Sequence, residues 1–173
     1  MGDSTIDMTG DHATERGERF RALDEAGTFL LANVGDAGTA RALSDAGVDA
    51  IATSSAAHAT TIGRADAAAE NGYGDEPEDM ARAVARSLGL AAVGAGCLYA
   101  RGTWDLPTIR TVAAEAGGPV NVLVPLGSAL RVDDLAEVGV RRISLGDSLY
   151  SAQVSHGAFL VDQVLATGTF TAS

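Results

Sequence analysis

Residues 28–55, with the sequence TFLLANVGDAGTARALSDAGVDAIATSS, carry the pattern that decides the fold class. The apolar run over residues 28–34 is typical of a buried strand, and the run over residues 48–55 is typical of a second one. The small and polar residues between them end at Gly47, as a short helix would. A strand, a helix and a strand in so short a stretch predict a βαβ unit with parallel strands and a right-handed crossover. The sequence therefore predicts the α/β class.

The same alternation continues toward the C-terminus. In residues 105–118 the apolar residues Ile109, Val112 and Ala116 recur at helical spacing and predict one buried helix face. Further strands are predicted over residues 91–100, 120–127 and 141–146, and a remnant of a sixth strand over residues 66–71. Further helices are predicted over residues 13–27, 77–89, 132–139 and 148–168.

Length and composition predict one globular domain. The chain has 173 residues, of which 46% are hydrophobic, enough for a single core. We expect a polar N-terminal arm over residues 1–15 and one domain over residues 16–173. The apolar runs are strand-sized, so neither a membrane span nor a signal segment is expected, and the protein is expected in the cytoplasm. The single cysteine, Cys97, fits a reducing compartment.

The charge pattern excludes several classes of function. The net charge of -11 offers no basic surface to nucleic acid or to an anionic membrane, so neither is expected as a partner. All twelve cationic side chains are arginine, and the chain has no lysine. Schiff-base aldol chemistry, a pyridoxal-phosphate linkage and the phosphate-loop lysine of nucleotide hydrolases are therefore excluded.

Four stretches together resemble the isocitrate lyase and phosphoenolpyruvate mutase superfamily. They are FRALDEAGTFLLANVGDAGTARALSDAGVDAIATSSA (20–56), ENGYGDEPEDMARAVA (70–85), NVLVPLG (121–127) and RRISLGDSLYSAQ (141–153). The resemblance covers residues 16–170 in the expected order and is specific as a combination. It implies a (β/α)8 barrel that acts on small α-oxo or 2-hydroxy acids with Mg2+.

The chain is shorter than the resemblance requires. A barrel of this type needs about 250 residues, with about 200 as a practical minimum. Between residues 66 and 70 there is no room for the helix that links strands two and three. The segments for strands four and five have no counterpart between residues 89 and 91, and the family's catalytic loop is missing with them. We therefore expect a shortened TIM-barrel-like fold that lacks central strands and is completed by self-association. The apolar C-terminal helix is similar to the helix that such proteins exchange between subunits, so a homo-oligomer is expected.

The resemblance implies a substrate site at the ends of the strands. Ser54, Ser55 and Ala56 end the second strand, where the family binds substrate oxygens, although serines there can equally cap the next helix. Asn33 follows the first strand and either lines the same site or caps a helix. Arg101 can clamp a carboxylate, or it can form an ion pair with Asp105. No catalytic residue is assigned.

The implied metal site is incomplete. Where the family carries an acidic triplet before its Gly-Tyr-Gly turn, this chain has Ala68, Ala69 and Glu70, and alanine cannot bind a cation. Glu70 and Asp66 remain as candidate Mg2+ ligands, or they are ordinary surface acids. The resulting expectation is a Mg2+-dependent lyase or mutase for a small carboxylate or phosphonate, with an eroded active site. The alternative is a non-catalytic relative that binds an anionic metabolite or a protein partner.

Overall fold

A computed structural model of the protein describes residues 10–61, 96–100 and 105–170. The strands in this part of the chain are β1 (Phe29–Val34), β2 (Ala50–Thr53), β3 (Leu98–Ala100), β4 (Val120–Leu123) and β5 (Val140–Ser144). The helices are α1 (Gly10–Ala26), α2 (Ala37–Asp45), α3 (Ser55–Thr61), α4 (Leu106–Glu115), α5 (Val132–Glu137) and α6 (Ser148–Thr167). None of the helices in these ranges is both long enough and apolar enough to cross a lipid bilayer.

The strands form one parallel sheet in the order β2-β1-β5-β4-β3. The first strand therefore pairs with the last, with Phe29 opposite Arg142 and Leu31 opposite Ser144. Such pairing of first and last strands is the way in which a (β/α)8 barrel closes. The sheet curls into half of a barrel, which confirms the α/β class and agrees with a shortened TIM-barrel-like fold. Completion of the barrel by self-association stays a prediction.

All five predicted strands form, although most are shorter than the apolar runs that predicted them. Helix α1 begins at Gly10, three residues before the predicted stretch, and α3 directly after β2 was not predicted. The predicted strand remnant at residues 66–71 and the predicted helix at residues 77–89 lie outside the described residues. The predicted domain limits, residues 1–15 and 16–173, stay a prediction.

The main core lies on the helix-bearing face of the sheet. Side chains alternate between the two faces of a strand, so Val120 and Val122 point to the same side as Leu98 and Ile143. Helix α4 covers this side with the stripe that its sequence predicted, Ile109, Val112 and Ala116, all of which are fully buried. Helix α5 adds Leu135 to the same cluster. Burial of this apolar surface fixes β3, β4 and β5 against their helices.

A buried ion pair closes the amino end of the opposite, inner face. The Arg142 side chain on β5 donates from Nε and Nη2 to the two carboxylate oxygens of Asp24 on α1, at 2.7 and 2.5 Å. Its guanidinium also lies 4.5 Å from the centroid of the Phe20 ring, which meets the Phe29 ring edge to face. The side chain of Asp24 is only 5% exposed, so the ion pair is largely shielded from water. The pair therefore fixes α1 across the bottom of the half-barrel.

The Arg142→Met substitution tests this role. It keeps much of the side-chain volume but leaves the Asp24 carboxylate buried without a partner, so we expect a loss of about 3–5 kcal/mol in the free energy of unfolding. Urea denaturation monitored by circular dichroism measures it. Arg141→Met is the matched control, because Arg141 is the exposed neighbour on the same strand, and its loss is expected below about 0.5 kcal/mol. Equal stability of the two variants would contradict the assignment.

Candidate functional site

The carboxyl ends of β1 and β2 present different residues on the two faces of the sheet. On the inner face lie Leu31 and Asn33, because they alternate with Ala32 and Val34, which are buried toward the helices. Asn33 is paired with Ala52 of β2 in the register of the sheet. The structure therefore places the candidate Asn33 on the inner face, at the edge where parallel barrels carry their active sites.

Ser54 has a structural role that the sequence left open. Its side chain is buried, and its hydroxyl oxygen accepts a hydrogen bond of 3.2 Å from the backbone N–H of Ala57. This is the N-cap geometry for α3, which starts at the next residue. The backbone N–H of Ser54 donates to the Val34 carbonyl at 2.9 Å, which extends the pairing of β2 with β1. The capping interpretation therefore accounts for the hydroxyl of Ser54.

Ser55 and Ala56 form the first turn of α3 beside this cap, and the Ser55 side chain is exposed. The turn after β1 packs closely against the same helix. A Cβ at Gly35 would lie 2.9 Å from the backbone carbon of Ala57, so only glycine fits there without a shift. The exposed His58 ring places Nδ1 3.2 Å from the Gly35 carbonyl oxygen. His58 is therefore an exposed side chain held by a contact with the backbone.

A cleft of about 670 Å3 lies on the helix-bearing face at this edge. It brings Ser54, Ser55 and His58 together with Asp36 and with apolar residues of α2 and β2, among them Ala40 and Ile51. Asn33 is not among its lining residues. The predicted substrate-binding residues are thus divided between two faces of one sheet edge, and the cleft and the inner face are separate candidate sites.

Asp36 is the N-cap of α2. Its carboxylate accepts hydrogen bonds from the backbone N–H and the hydroxyl of Thr39, at 2.9 and 2.8 Å. These bonds lower the pKa of the Asp36 carboxyl below its ordinary value of 3.8. Asp105 caps α4 in the same way, with its carboxylate accepting from the Thr108 backbone N–H at 2.8 Å. Both acids are therefore used to start helices.

Asn33 connects the first strand to the loop after the last strand. Its Oδ1 accepts hydrogen bonds from the backbone N–H groups of Leu145 and Gly146, at 2.9 and 3.0 Å. Gly146 has a positive φ of 61°, so the loop turns sharply enough to present both N–H groups to one acceptor. Asn33 therefore does not cap a helix; it joins two strand ends that are 112 residues apart in sequence.

A second polar pair on the inner face escaped the sequence analysis. Nδ2 of Asn121 on β4 donates to Oγ of Ser144 on β5 at 2.9 Å. Oδ1 of Asn121 is buried and has no hydrogen-bond partner among the described residues. The signal was present in the sequence, because Asn121 is the one polar residue inside the apolar run that predicted β4. A polar residue at that place is expected to face a barrel interior.

Cys97 precedes β3 and is partly buried. Burial raises the pKa of its thiol, and the Arg142 charge opposes that effect. A thiol with a raised pKa is a weak nucleophile at neutral pH.

The described residues do not by themselves fit a Mg2+ ion. Within residues 10–61, 96–100 and 105–170, no three side chains of the histidine, cysteine or acidic type come together. The candidate ligands Asp66 and Glu70, and the candidate clamp Arg101, lie outside the described residues. Mg2+ binding stays a prediction, and no chemical step is derived from it.

Comparison with known proteins identifies the family. The sequence profile described as phosphoenolpyruvate phosphomutase matches residues 20–73 and 67–165. The chain belongs to this family. No curated protein matches the chain by sequence. The predicted kinship with the phosphoenolpyruvate mutase and isocitrate lyase superfamily is confirmed.

Solved structures agree with this membership. A Burkholderia cenocepacia protein assigned as a lyase/mutase is 26% identical, with 90% of each chain covered and a TM-score of 0.76. A protein of the same organism assigned as a phosphonomutase is 23% identical, covering 86% of this chain and 99% of that one, with a TM-score of 0.72. A 2,3-dimethylmalate lyase is 16% identical, covering 93% of this chain and 90% of that one, with a TM-score of 0.70. The last two show the fold alone.

The lowered pKa of Asp36 gives this phosphomutase family member a testable pH dependence. Its contribution to stability is present above the ordinary pKa of 3.8 and is lost as the pH falls through the lower folded-state value. Asp36→Asn keeps a capping oxygen without a titrating charge. The Tm advantage of the wild type over this variant is therefore expected to shrink from about pH 5 to about pH 2.5. Parallel Tm curves over that range would show that Asp36 does not carry this effect.

Proposed function

We propose that this protein is a lyase or mutase of the phosphoenolpyruvate mutase and isocitrate lyase type, acting on a small oxo or 2-hydroxy acid with Mg2+ in a partly eroded active site. The observation that carries the proposal is the match to the phosphoenolpyruvate phosphomutase profile, which spans most of the chain. The match falls into two segments that meet at residues 67–73, and this supports a shortening of the barrel near that point. The proposed location is the cytoplasm, and neither membrane nor nucleic acid is a proposed partner.

The proposed substrate is a small carboxylate or phosphonate, bound at the carboxyl edge of the sheet. The proposed binding residues are Ser54, Ser55, Ala56, Asn33 and Arg101, and the proposed metal ligands are Glu70 and Asp66. The inner face supports an oxygen-rich ligand, because it carries the neutral amide and hydroxyl groups of Asn33, Asn121 and Ser144.

The charge of such a substrate limits how it can be held. Among the described residues of the inner face, Arg142 provides the positive charge. Its guanidinium is already paired with the carboxylate of Asp24. An acid bound there therefore needs a positive charge from another source. A Mg2+ ion at Glu70 and Asp66, or the guanidinium of Arg101, meets this need.

A second candidate function has its own support. The hydroxyl of Ser54 caps α3, and Oδ1 of Asn33 accepts two backbone N–H groups, so both are used by the fold itself. A chain that kept these residues for structure alone would keep the family fold without the family reaction. In that case the protein binds an anionic metabolite or a protein partner and does not catalyse.

Calorimetric titration separates the two functions. We expect heat of binding when oxalate, a mimic of the enolate of a small oxo acid, is added in the presence of Mg2+, and little heat when either is added alone. The reason is that the metal supplies the positive charge that the described inner face lacks. Glu70→Ala and Asp66→Ala are expected to abolish binding with an unchanged Tm. Absence of heat with both components together would favour the non-catalytic alternative.

We further propose that the protein self-associates through α6. None of the twenty residues of α6, all of them described, is buried, although its apolar side chains include Val154, Phe159, Val161 and Leu165. The helix carries one formal charge, Asp162, in a length of about 30 Å. An apolar helix surface of this size is costly to leave in water. The α6 helix of a second copy is the proposed partner, because one apolar surface is complementary to another.

Sedimentation velocity tests this assembly. We expect a dimer or larger species between about 1 and about 100 μM, because burial of the apolar side chains drives association. Leu165→Glu is expected to shift the population to monomer, since Leu165 is 79% exposed on α6. Gln163→Glu is the matched control on the same helix, because it adds the same charge at an exposed polar position. A monomeric wild type at about 100 μM would refute the proposal.

A further inference from the structure

The inner-face amide of Asn33 has an assigned orientation. Two backbone N–H groups, of Leu145 and Gly146, point at one atom of the side-chain amide, at 2.9 and 3.0 Å. Only an oxygen can accept from them, because the amide nitrogen is a donor with no acceptor capacity. The usual ambiguity between the oxygen and the nitrogen of an asparagine side chain is therefore removed. The atom next to the loop is Oδ1, and the other end of the amide is Nδ2.

The donor end of this amide has no use within the described fold. Nδ2 carries two N–H donors, and no described residue accepts a hydrogen bond from them. The residue is half-buried, so the donors are neither fully solvated nor enclosed in the core. Asn33 is also the last inner-facing residue of β1, so its side chain is the one nearest to the carboxyl edge on this strand.

We propose that Asn33 has two functions, in which Oδ1 holds the β5–α6 loop and Nδ2 donates hydrogen bonds to an oxygen of the bound acid. The inference rests on the proposed function, and it assigns the chemical group that the described inner face recognises. A pair of N–H donors can hydrogen-bond to a carboxylate or oxo oxygen. It cannot hydrogen-bond to an ammonium group, which has only donors. The fixed Oδ1 makes the donor rigid, so little side-chain freedom is lost on binding.

The same two bonds limit where else an acid is held. The loop after the last strand of a (β/α)8 barrel often binds anions through its backbone N–H groups. Here the N–H groups of Leu145 and Gly146 already have the Asn33 oxygen as their acceptor. These two N–H groups are therefore held by Asn33 and are not free for an acid.

Asn33→Asp separates the two functions. One carboxylate oxygen replaces Oδ1 and still accepts both loop N–H groups, whereas the second oxygen replaces the donor Nδ2 with an acceptor. We expect the Tm to stay within about 2 °C of the wild type. We expect the affinity for oxalate in the presence of Mg2+ to fall about tenfold or more, measured by calorimetry.

A charge control is needed because the substitution also adds a negative charge. Ser44→Asp adds the same charge at an exposed position on α2, away from the proposed binding residues. We expect its oxalate affinity to stay within about threefold of the wild type. Titrations at about 0.05 M and about 0.5 M NaCl distinguish the two effects, since salt screens a distant charge but does not restore a lost donor.

A measurement on the wild type keeps the inference testable if Asn33→Asp does not fold. The chain has three asparagines and two glutamines, so the side-chain amides give only five pairs of signals in a 15N correlation spectrum. Addition of oxalate and Mg2+ is expected to shift the Asn33 Nδ2 protons most strongly.

The outcomes are distinct. No oxalate binding by the wild type overturns both the proposed function and this inference. Binding by the wild type that Asn33→Asp retains, or an unmoved Asn33 amide signal in the bound wild type, overturns the inference alone. Weak binding by Asn33→Asp at both salt concentrations, with normal binding by Ser44→Asp, supports it.

Discussion

The parallel pairing of β1 with β5 is the contact on which the rest of the fold depends. It joins the first strand to the last, with Leu30 opposite Ile143, and so brings together two segments that are more than a hundred residues apart. A contact of such sequence separation closes a long loop, and its entropy cost has to be offset by other interactions. Two side-chain interactions at the ends of the β1–β5 pair contribute to this. Asp24 binds Arg142 at the amino end, and Asn33 binds the β5–α6 loop at the carboxyl end.

The local sequence pattern was sufficient to predict the helices and strands, but not the contacts between residues that are distant in sequence. The apolar runs predicted all five strands, and the spacing of Ile109, Val112 and Ala116 predicted the buried face of α4. These features are set by neighbours in sequence, so periodicity reveals them. The pair of Asp24 and Arg142 joins residues 118 apart, and neither residue has a local signal that marks it as buried. Only the register between β1 and β5 places them together.

Only part of the candidate site could be predicted, again because local patterns are visible in the sequence and long-range contacts are not. Strands β1 and β2 end within two residues of their predicted ends, so Asn33, Ser54 and Ser55 do lie at the carboxyl edge. Their division between two faces could not be predicted, because a shift of one residue in the pairing register moves a side chain to the other face. The short strand β2 ends at Thr53, and α3 begins two residues later with Ser54 as its cap. The helix-bearing cleft and the inner face are therefore chemically different, although the same strand ends line both.

The polar character of the inner face links fold and proposed function. A barrel interior without a ligand is commonly filled by branched apolar side chains. Here Asn33, Asn121 and Ser144 occupy inner positions of three strands, and the buried Oδ1 of Asn121 lacks a partner among the described residues. A buried polar group without a hydrogen bond costs free energy, so stability alone does not explain the unpartnered Oδ1 of Asn121. The proposed binding of an oxygen-rich acid accounts for it, because an amide and a hydroxyl can hydrogen-bond to such a ligand. A net charge of -11 adds the second condition, since an anion approaches this surface against repulsion and needs a local cation to stay. In the proposed function, the neutral amide of Asn33 orients the acid and a cation holds it.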